Sequence, residues 1–429
     1  MKKVNLLLLA VLFMVTMVCV SKTAVSEEVG NYPDKWYGWW CPYVDSMPPQ
    51  AGVIEEVQEQ KIIKSWGYKT GNSFEEIKDL VPECFYNEVL GNPEIWGNFR
   101  FNETAYMPTD AKPWLEATKK YKGESTLDED GQIRNYKAGC PFPGSTNGLE
   151  IAWNVLKRHT TGDNWYGPWA IPIVDKKGQT RWIAGKNIYF FFDGRLSMEP
   201  APIYTPNPHN YDFLQTFGYV APYEMRGTVP LIYRYNDPKK QDDMWMYLPA
   251  LRRVRRMSAA QRWDRIPGGA DVWWDSFQMF WGKPTNYDWE YKGTKKMLAS
   301  YNGKWEVQMI KDKLIGGCDN YWQRMDLVVL EGYPKIVSPL SKMILYLDPI
   351  EYAPLWSVFL DKKGRPWVVY FYGISWDKRW MRDQPNMIMF DIQRKHSSNT
   401  FLKDTGHDID LVTPDFLTME SLKKYFGGR

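Results

Sequence analysis

From Trp165 onward the chain alternates short apolar runs with tight polar turns, a texture that predicts strands joined by hairpins. The segments DKKGQTRW (175–182) and DKKGRPW (361–367) are near-copies, each a polar turn whose glycine can take a positive φ. FFDGRL (191–196) and YNGKW (301–305) add an Asp-Gly and an Asn-Gly turn, the strongest short-range hairpin signals. Hairpins at this density predict an antiparallel sheet, with no room for the crossover helices of a parallel one. Upstream, residues 27–147 read as irregular with short helices. VIEEVQEQKIIK (53–64) and KPWLEATKKYK (112–122) have helical spacing between loops such as GNPEIWGNF and GCPFPGSTNG. GLEIAWNVLKRH (148–159) sets Leu149, Ala152, Trp153 and Leu156 on one stripe, and TPDFLTMESLKKYF (413–426) predicts a closing helix with Thr413 as N-cap and Pro414 in its first turn.

The strands carry an anomaly. A sheet with one wet face should alternate apolar and polar residues. IYFFF (188–192), MILYL (343–347), LWSVFL (355–360) and WVVYFY (367–372) are apolar on both faces. A filled sandwich core under a covering layer would account for this. So would a curved sheet with helices or loops on one side and an oily cavity on the other.

The N-terminus changes the compartment. A basic MKK head, an apolar stretch Val4–Val20, small residues at Ala24 and Ser26 and the acidic pair Glu27, Glu28 form a secretory signal with cleavage after Ser26. A retained membrane anchor is the rival reading, because the apolar stretch is near the shortest that spans a bilayer. Bulky Met17 and Val18 argue against lipid modification of Cys19. The chain then divides into a signal peptide (1–26), an irregular and helical segment (27–147) and a β-rich core (148–429). Removing 1–26 takes Lys2, Lys3 and Lys22 and no acid, so 54 basic against 51 acidic residues becomes an even balance. A nucleic-acid partner normally goes with a global basic surplus, and this chain then has none. Of the 5 cysteines, Cys41, Cys84, Cys140 and Cys318 remain, an even number compatible with two disulfides or with buried free thiols. The load of 22 Trp and 27 Tyr suits cores, half-wet surfaces and ligand walls alike.

Catalytic signals are thin. His159, His209, His396 and His407 lie far apart, and no zinc-helix, nucleophile-elbow, phosphate-loop or dinucleotide motif is present. No metal or cofactor is expected. LDEDGQ (127–132) opens like a calcium loop but lacks the closing Glu, which favours a solvated turn. Asp288 and Glu290 in YDWEYKG (287–293) would share a strand face and could flank a glycosidase cleft, or simply face solvent. The most unusual segment is WMYLPALRRVRR (245–256), an aromatic run ending in Arg252, Arg253, Arg255 and Arg256. On a strand, Arg253 and Arg255 point one way, and Arg252, Val254 and Arg256 the other. The arginines can pair with carboxylates such as Asp264, Asp271 and Asp275, or receive an anionic group at a cavity mouth.

PFPGSTNGLEIAWNVLKRH (141–159), WMYLPALRRVRR, DSFQMFWGKPTNYDWEYKGTKKM (275–297), MILYLDPIEYAPLWSVFLDKKGRPWVVYF and the ending TPDFL together carry a resemblance. They are similar to the motifs of the bacterial exported family called domain of unknown function 1329, related in fold to the outer-membrane lipoprotein-sorting proteins of the LolA and LolB type. The resemblance spans roughly residues 100–425; the segment 27–99, with WYGWWCPY, departs from it, and no lipobox is evident. It implies a curved, half-open antiparallel β-barrel with helices and loops on its concave side and a hydrophobic cavity between. It also implies a periplasmic carrier of lipid-like or other hydrophobic molecules, in a relay with an RND-type transporter and an outer-membrane β-barrel protein. The family supplies no catalytic residues.

The resulting expectation is a carrier with a ligand's tail in the concavity. Its polar head would lie near Arg252, Arg253, Arg255 and Arg256, beside Trp245, Tyr247, Tyr287, Asp288 and Trp289. The alternatives are an exported saccharide-binding or glycosidase-like protein and a ligand-free subunit of an envelope assembly.

Overall fold

The computed structural model of the chain describes residues 61–427, except 68–69, 98, 106–110, 159–161, 238, 302–308, 311–312, 315–320, 377–381 and 403–404. The signal segment, Cys41, Cys318, His159, most of 53–64 and the Asn302-Gly303 turn lie outside the described residues.

The chain opens with β1 (Ile62–Gly67), helix α1 (Pro93–Trp96), β2 (Arg100–Thr104), helix α2 (Lys112–Lys120), the short β3 (Thr126–Leu127) and β4 (Ile133–Arg134), and helix α3 (Gly148–Leu156). An antiparallel meander follows: β5 (Asn164–Val174), β6 (Thr180–Phe191), β7 (Tyr211–Ala221), β8 (Val229–Tyr235), β9 (Asp243–Leu248) and β10 (Arg253–Arg256). Next come β11 (Tyr287–Tyr301), the short β12 (Met309–Ile310) and β13 (Lys313–Leu314), β14 (Tyr321–Pro334) and β15 (Leu340–Leu347). β16 (Pro354–Asp361), β17 (Pro366–Trp376), β18 (Arg382–Asp391), β19 (His396–Leu402), β20 (Gly406–His407) and helix α4 (Met419–Gly427) complete the chain.

Sixteen strands form one open sheet, in the order β1-β2-β14-β15-β16-β17-β18-β19-β5-β6-β7-β8-β9-β10, with β11 on β14 and β17, and β20 on β5. Antiparallel pairing dominates, as the turns predict; β2–β14 and β11–β17 make brief parallel contacts. The sheet must curl. β16 and β7 are six steps apart in it, about 29 Å if flat. Yet Trp273 packs on Phe359 of β16 while Phe277, four residues on and at most ~14 Å along the chain, packs on Phe217 of β7. Only a half-open, curved sheet lets one short segment reach both, and this is the architecture expected from the sequence.

Each face of that sheet is covered, which explains the doubly apolar strands. Residues 266–281 form a plug on the concave side, bringing Trp273, Trp274, Phe277, Met279, Phe280 and Trp281 into the main core. On β6, Tyr189 and Phe191 face this core. Ile188, Phe190 and Phe192 face a second cluster with Leu422 and Phe426 of α4. A Cβ at Gly218 would stand 2.2 Å from the Phe426 ring, so glycine is what lets α4 seat there. Across the sheet, Phe85 packs on Trp356, Phe371 and Phe390, so the N-terminal elements cover that stretch. The filled-core and covering-layer reading holds for most of the interior.

α2 and α3 form where the spacing predicts. Asn147 caps α3 by accepting from Leu149 and Glu150, and a Cβ at Gly148 would fall 2.4 Å from the Trp289 carbonyl oxygen. Several local expectations are corrected. Ile62–Lys64, the end of a predicted helix, lie in β1, paired with β2. The closing helix starts at Met419, where Thr418 Oγ1 accepts from Ser421 N–H at 3.3 Å; Thr413 heads a separate turn. Asp193-Gly194 does not close a hairpin but opens a long excursion to β7. Buried Asp163 gathers the Ser197 and Met198 amides there, while Arg195 donates to the Phe191 carbonyl at 2.9 Å. Those anchors are distant in sequence or face inward, so local turn chemistry does not reveal them. Cys84 and Cys140 are free thiols rather than disulfide partners, and burial pushes each up to about 12.

Candidate ligand site

The plug is pinned by buried charge. Asp242, on the β8–β9 connection, accepts from Arg234 Nη2 at 2.9 Å and from Arg262 Nη1 at 2.8 Å. Arg262 Nε also donates to Asp275 Oδ1 at 2.7 Å. Burial opposes ionisation of Asp242, but the charges of Arg234, Arg262 and Lys283 outweigh it and hold the carboxyl below the usual range. Further along, Arg265 bridges Asp271 and Asp391, Ser398 Oγ donates to Asp271 at 2.7 Å, and His396 Nδ1 shares a hydrogen bond with the same carboxylate. The arginines that find Asp271 and Asp275 are therefore Arg262 and Arg265, and of the hairpin group only Arg256 finds a carboxylate among the described residues, that of Asp243.

Between the plug and the inner faces of the central strands lies a cavity of about 50 Å³. Trp165, Ile171, Phe217, Phe277 and Met387 supply apolar walls, and Asn187, Tyr189, Gln278 and Thr400 supply polar groups. Asn187 Nδ2 and Gln215 Nε2 donate to the Tyr189 hydroxyl at 3.0 and 2.9 Å, and burial pushes that phenol up to about 12. The site therefore offers neutral hydrogen-bonding groups at the edge of an apolar void, the lining of a small-molecule pocket at a size well below the roughly 300–1,000 Å³ such pockets enclose. Gln278 and Met279 hold φ of 48° and 66°, consecutive left-handed positions that non-glycine residues rarely adopt. Arg158 Nη2 steadies Gln278 through its carbonyl at 3.2 Å and its Oε1 at 3.1 Å.

None of the ligand residues picked from sequence lines this cavity. Trp245 and Tyr247 turn toward the α4 side, Trp245 edge-on to Tyr233 and Tyr247 under Lys423. Across from them β10 is exposed throughout. Arg256 pairs with Asp243, and Arg252, Arg253 and Arg255 have no ion-pair partner among the described residues. Tyr287 is buried beside Phe280 and Trp289, and burial pushes its hydroxyl well up. The hairpin arginines and this aromatic cluster make no described contact with each other. Asp288 and Glu290 are exposed and paired with Lys335 and Lys292. Asp128 accepts from the Asp130 and Gln132 amides at 3.0 and 2.8 Å, as a solvated turn requires. Sequence reasoning missed Asn187, Gln278 and Thr400; the one local signal was the unpatterned aromatic run at 272–281.

Comparison with known proteins gives a family model, "Protein of unknown function (DUF1329)", matching residues 101–423. An uncharacterized protein of Pseudomonas aeruginosa is 31% identical over 210 residues, 48% of this chain and 44% of its own length, so this chain spans less than half of that relative. Among solved structures, a DUF1329 family protein from Desulfovibrio piger matches with TM-score 0.48 and 16% identity, over 64% of this chain and 97% of its own. A putative outer membrane lipoprotein-sorting protein domain from Vibrio parahaemolyticus gives 0.47 and 17%, over 64% and 98%.

Proposed function

The chain belongs to the DUF1329 family, and from that premise we propose that it is an exported, periplasmic carrier of hydrophobic molecules. The observation that carries the reading is the pocket between plug and sheet, with apolar walls and neutral polar groups converging at Asn187, Tyr189, Gln278 and Thr400. A guest would bury its apolar part there and place a hydrogen-bonding tip against those groups. Each methylene removed from water contributes about 0.8 kcal/mol, so affinity grows with the length of apolar chain admitted. At about 50 Å³ the void admits a short apolar group. A long tail requires the Phe277 ring to swing out, with the left-handed Gln278–Met279 pair as its hinge. The head-group role first given to the β10 arginines passes to the pocket's own polar groups, because β10 lies three strands, about 14 Å, from β7. Transfer to an RND-type transporter or an outer-membrane β-barrel protein would complete the relay. Among the described residues no helix is long and apolar enough to cross a membrane. The test is native mass spectrometry of the purified protein after organic extraction. A carrier releases a hydrophobic molecule and loses it in Phe217→Trp; an empty protein that also refuses apolar probes counts against the reading.

A further inference from the structure

The two near-identical turns have a use that the pocket does not absorb. In Asp175–Gly178 and Asp361–Gly364 the aspartate organises the turn: Asp175 accepts from the Lys177 and Gln179 amides, and Asp361 accepts from the Lys363 and Arg365 amides through one oxygen while the other pairs with the Arg365 guanidinium at 2.7 Å. Lys176, Lys177, Lys362 and Lys363 are left exposed, with no ion-pair partner among the described residues.

Register puts these turns on one rim. Val174 pairs with both Thr180 and Ser397, Asp391 with both His396 and Val368, and Asp361 with Leu340. The β5–β6, β18–β19, β16–β17 and β14–β15 turns therefore share one end of the sheet. The β7–β8 and β9–β10 turns lie there too, and a Cβ at Gly227 would stand 3.2 Å from Pro249. This rim also holds the two most exposed large hydrophobics among the described residues, Val337 at 95% and Tyr223 at 89%, with Leu251 at 48%. Arg252 stands next to Leu251. On the opposite rim the β8–β9 connection mixes Lys239 and Lys240 with exposed Asp237, whereas the proposed rim carries exposed Glu224 beside Tyr223 among its cations.

A cationic rim carrying protruding apolar and tyrosine side chains, bordered by an open cavity of about 500 Å³ at Glu83, Glu88, Arg365 and Gln393, has the composition of a surface that settles on anionic lipid. We propose that the protein docks by this rim onto an anionic membrane surface. The lysines and Arg252 would lie at the phosphates, with Tyr223, Leu251 and Val337 among the headgroups. The inference stands apart from the pocket and survives if the pocket proves empty.

The test is flotation of the full chain with vesicles containing phosphatidylglycerol and with vesicles of phosphatidylcholine alone. The N-terminal apolar stretch contributes equally to every variant, so differences between variants report the rim. Lys176, Lys177, Lys362 and Lys363 changed together to Gln should weaken binding to the anionic vesicles by about fivefold per lysine, and added salt should do the same. Tyr223→Ser with Val337→Ser should weaken it as well, with circular dichroism unchanged. Equal binding of wild type and the lysine variant, or equal binding to both vesicle types, overturns the proposal. So does binding to soluble polyglutamate that depends on the same lysines, tyrosine and valine, an outcome that would assign an acidic protein partner instead.

Discussion

Replacing Phe277 by alanine tests the pocket and the plug together. Its ring is 5.1 Å from Phe217 and 5.7 Å from Trp274, and it forms part of the cavity wall. Removing it adds roughly 100 Å³ of void, at ~24 cal/mol per Å³ about 2 kcal/mol, and the lost burial of the ring adds about 2 more. The expected cost is therefore about 4 kcal/mol, read as a lower denaturant midpoint at unchanged slope. The enlarged cavity would approach ~150 Å³, a size at which apolar cavities stay dry and bind benzene. Toluene at one hundred times its dissociation constant should then restore about 2.7 kcal/mol to the variant and almost nothing to the wild type. A loss below about 1 kcal/mol would mean that the ring does not pack as described. A folded variant that gains no more from toluene than wild type would refute the apolar pocket itself.

Three other perturbations address what holds the plug. Asp242→Asn leaves Arg234 and Arg262 buried without their shared carboxylate and should cost about 3–5 kcal/mol in urea unfolding; a change under 1 would show the network to be slack. Burial pushes Lys283 down to about 8 from an unfolded value near 10.5, so between those values the unfolded chain holds a proton the folded one lacks. Its contribution to stability must rise with pH across that window, by about 3 kcal/mol in full, and the folded state carries the whole penalty below it. Subtracting Lys283→Met from wild type isolates this rise, and a flat difference from pH 8 to 10.5 would contradict it. Cys84 and Cys140, with thiols held near 12, should resist iodoacetamide at pH 8 in the native protein yet react after unfolding without reductant. Rapid native labelling would contradict the raised thiols and, for Cys140, its burial; failure to label after unfolding would reveal a disulfide.

Much of the scaffold was written locally. Asn147, Gly148 and the apolar spacing behind them make α3 readable from a dozen residues, and Asp175 and Asp361 each organise a turn through amides within four positions. The doubly apolar strands at 188–192 and 355–360 announced that both faces would be covered. They did not say by what. Phe190 needs Phe426 from α4, Trp356 needs Phe85, and Phe359 needs Trp273, partners separated by tens to hundreds of positions that no local period encodes. The pocket is harder still to read, because Asn187, Phe277 and Thr400 converge only once the sheet has curled and the plug has been pinned by Asp242 and Asp271. The β10 arginines show the limit from the other side. Their strand alternation was legible, but whether that strand met a cavity, a carboxylate or water depended on its place at the end of the sheet. Backbone conformation follows from neighbours within a turn or two, so sequence alone determined turns, helices and strand faces. Which faces meet is set by burying the most apolar area at once over the whole chain, and only the tertiary structure decided that.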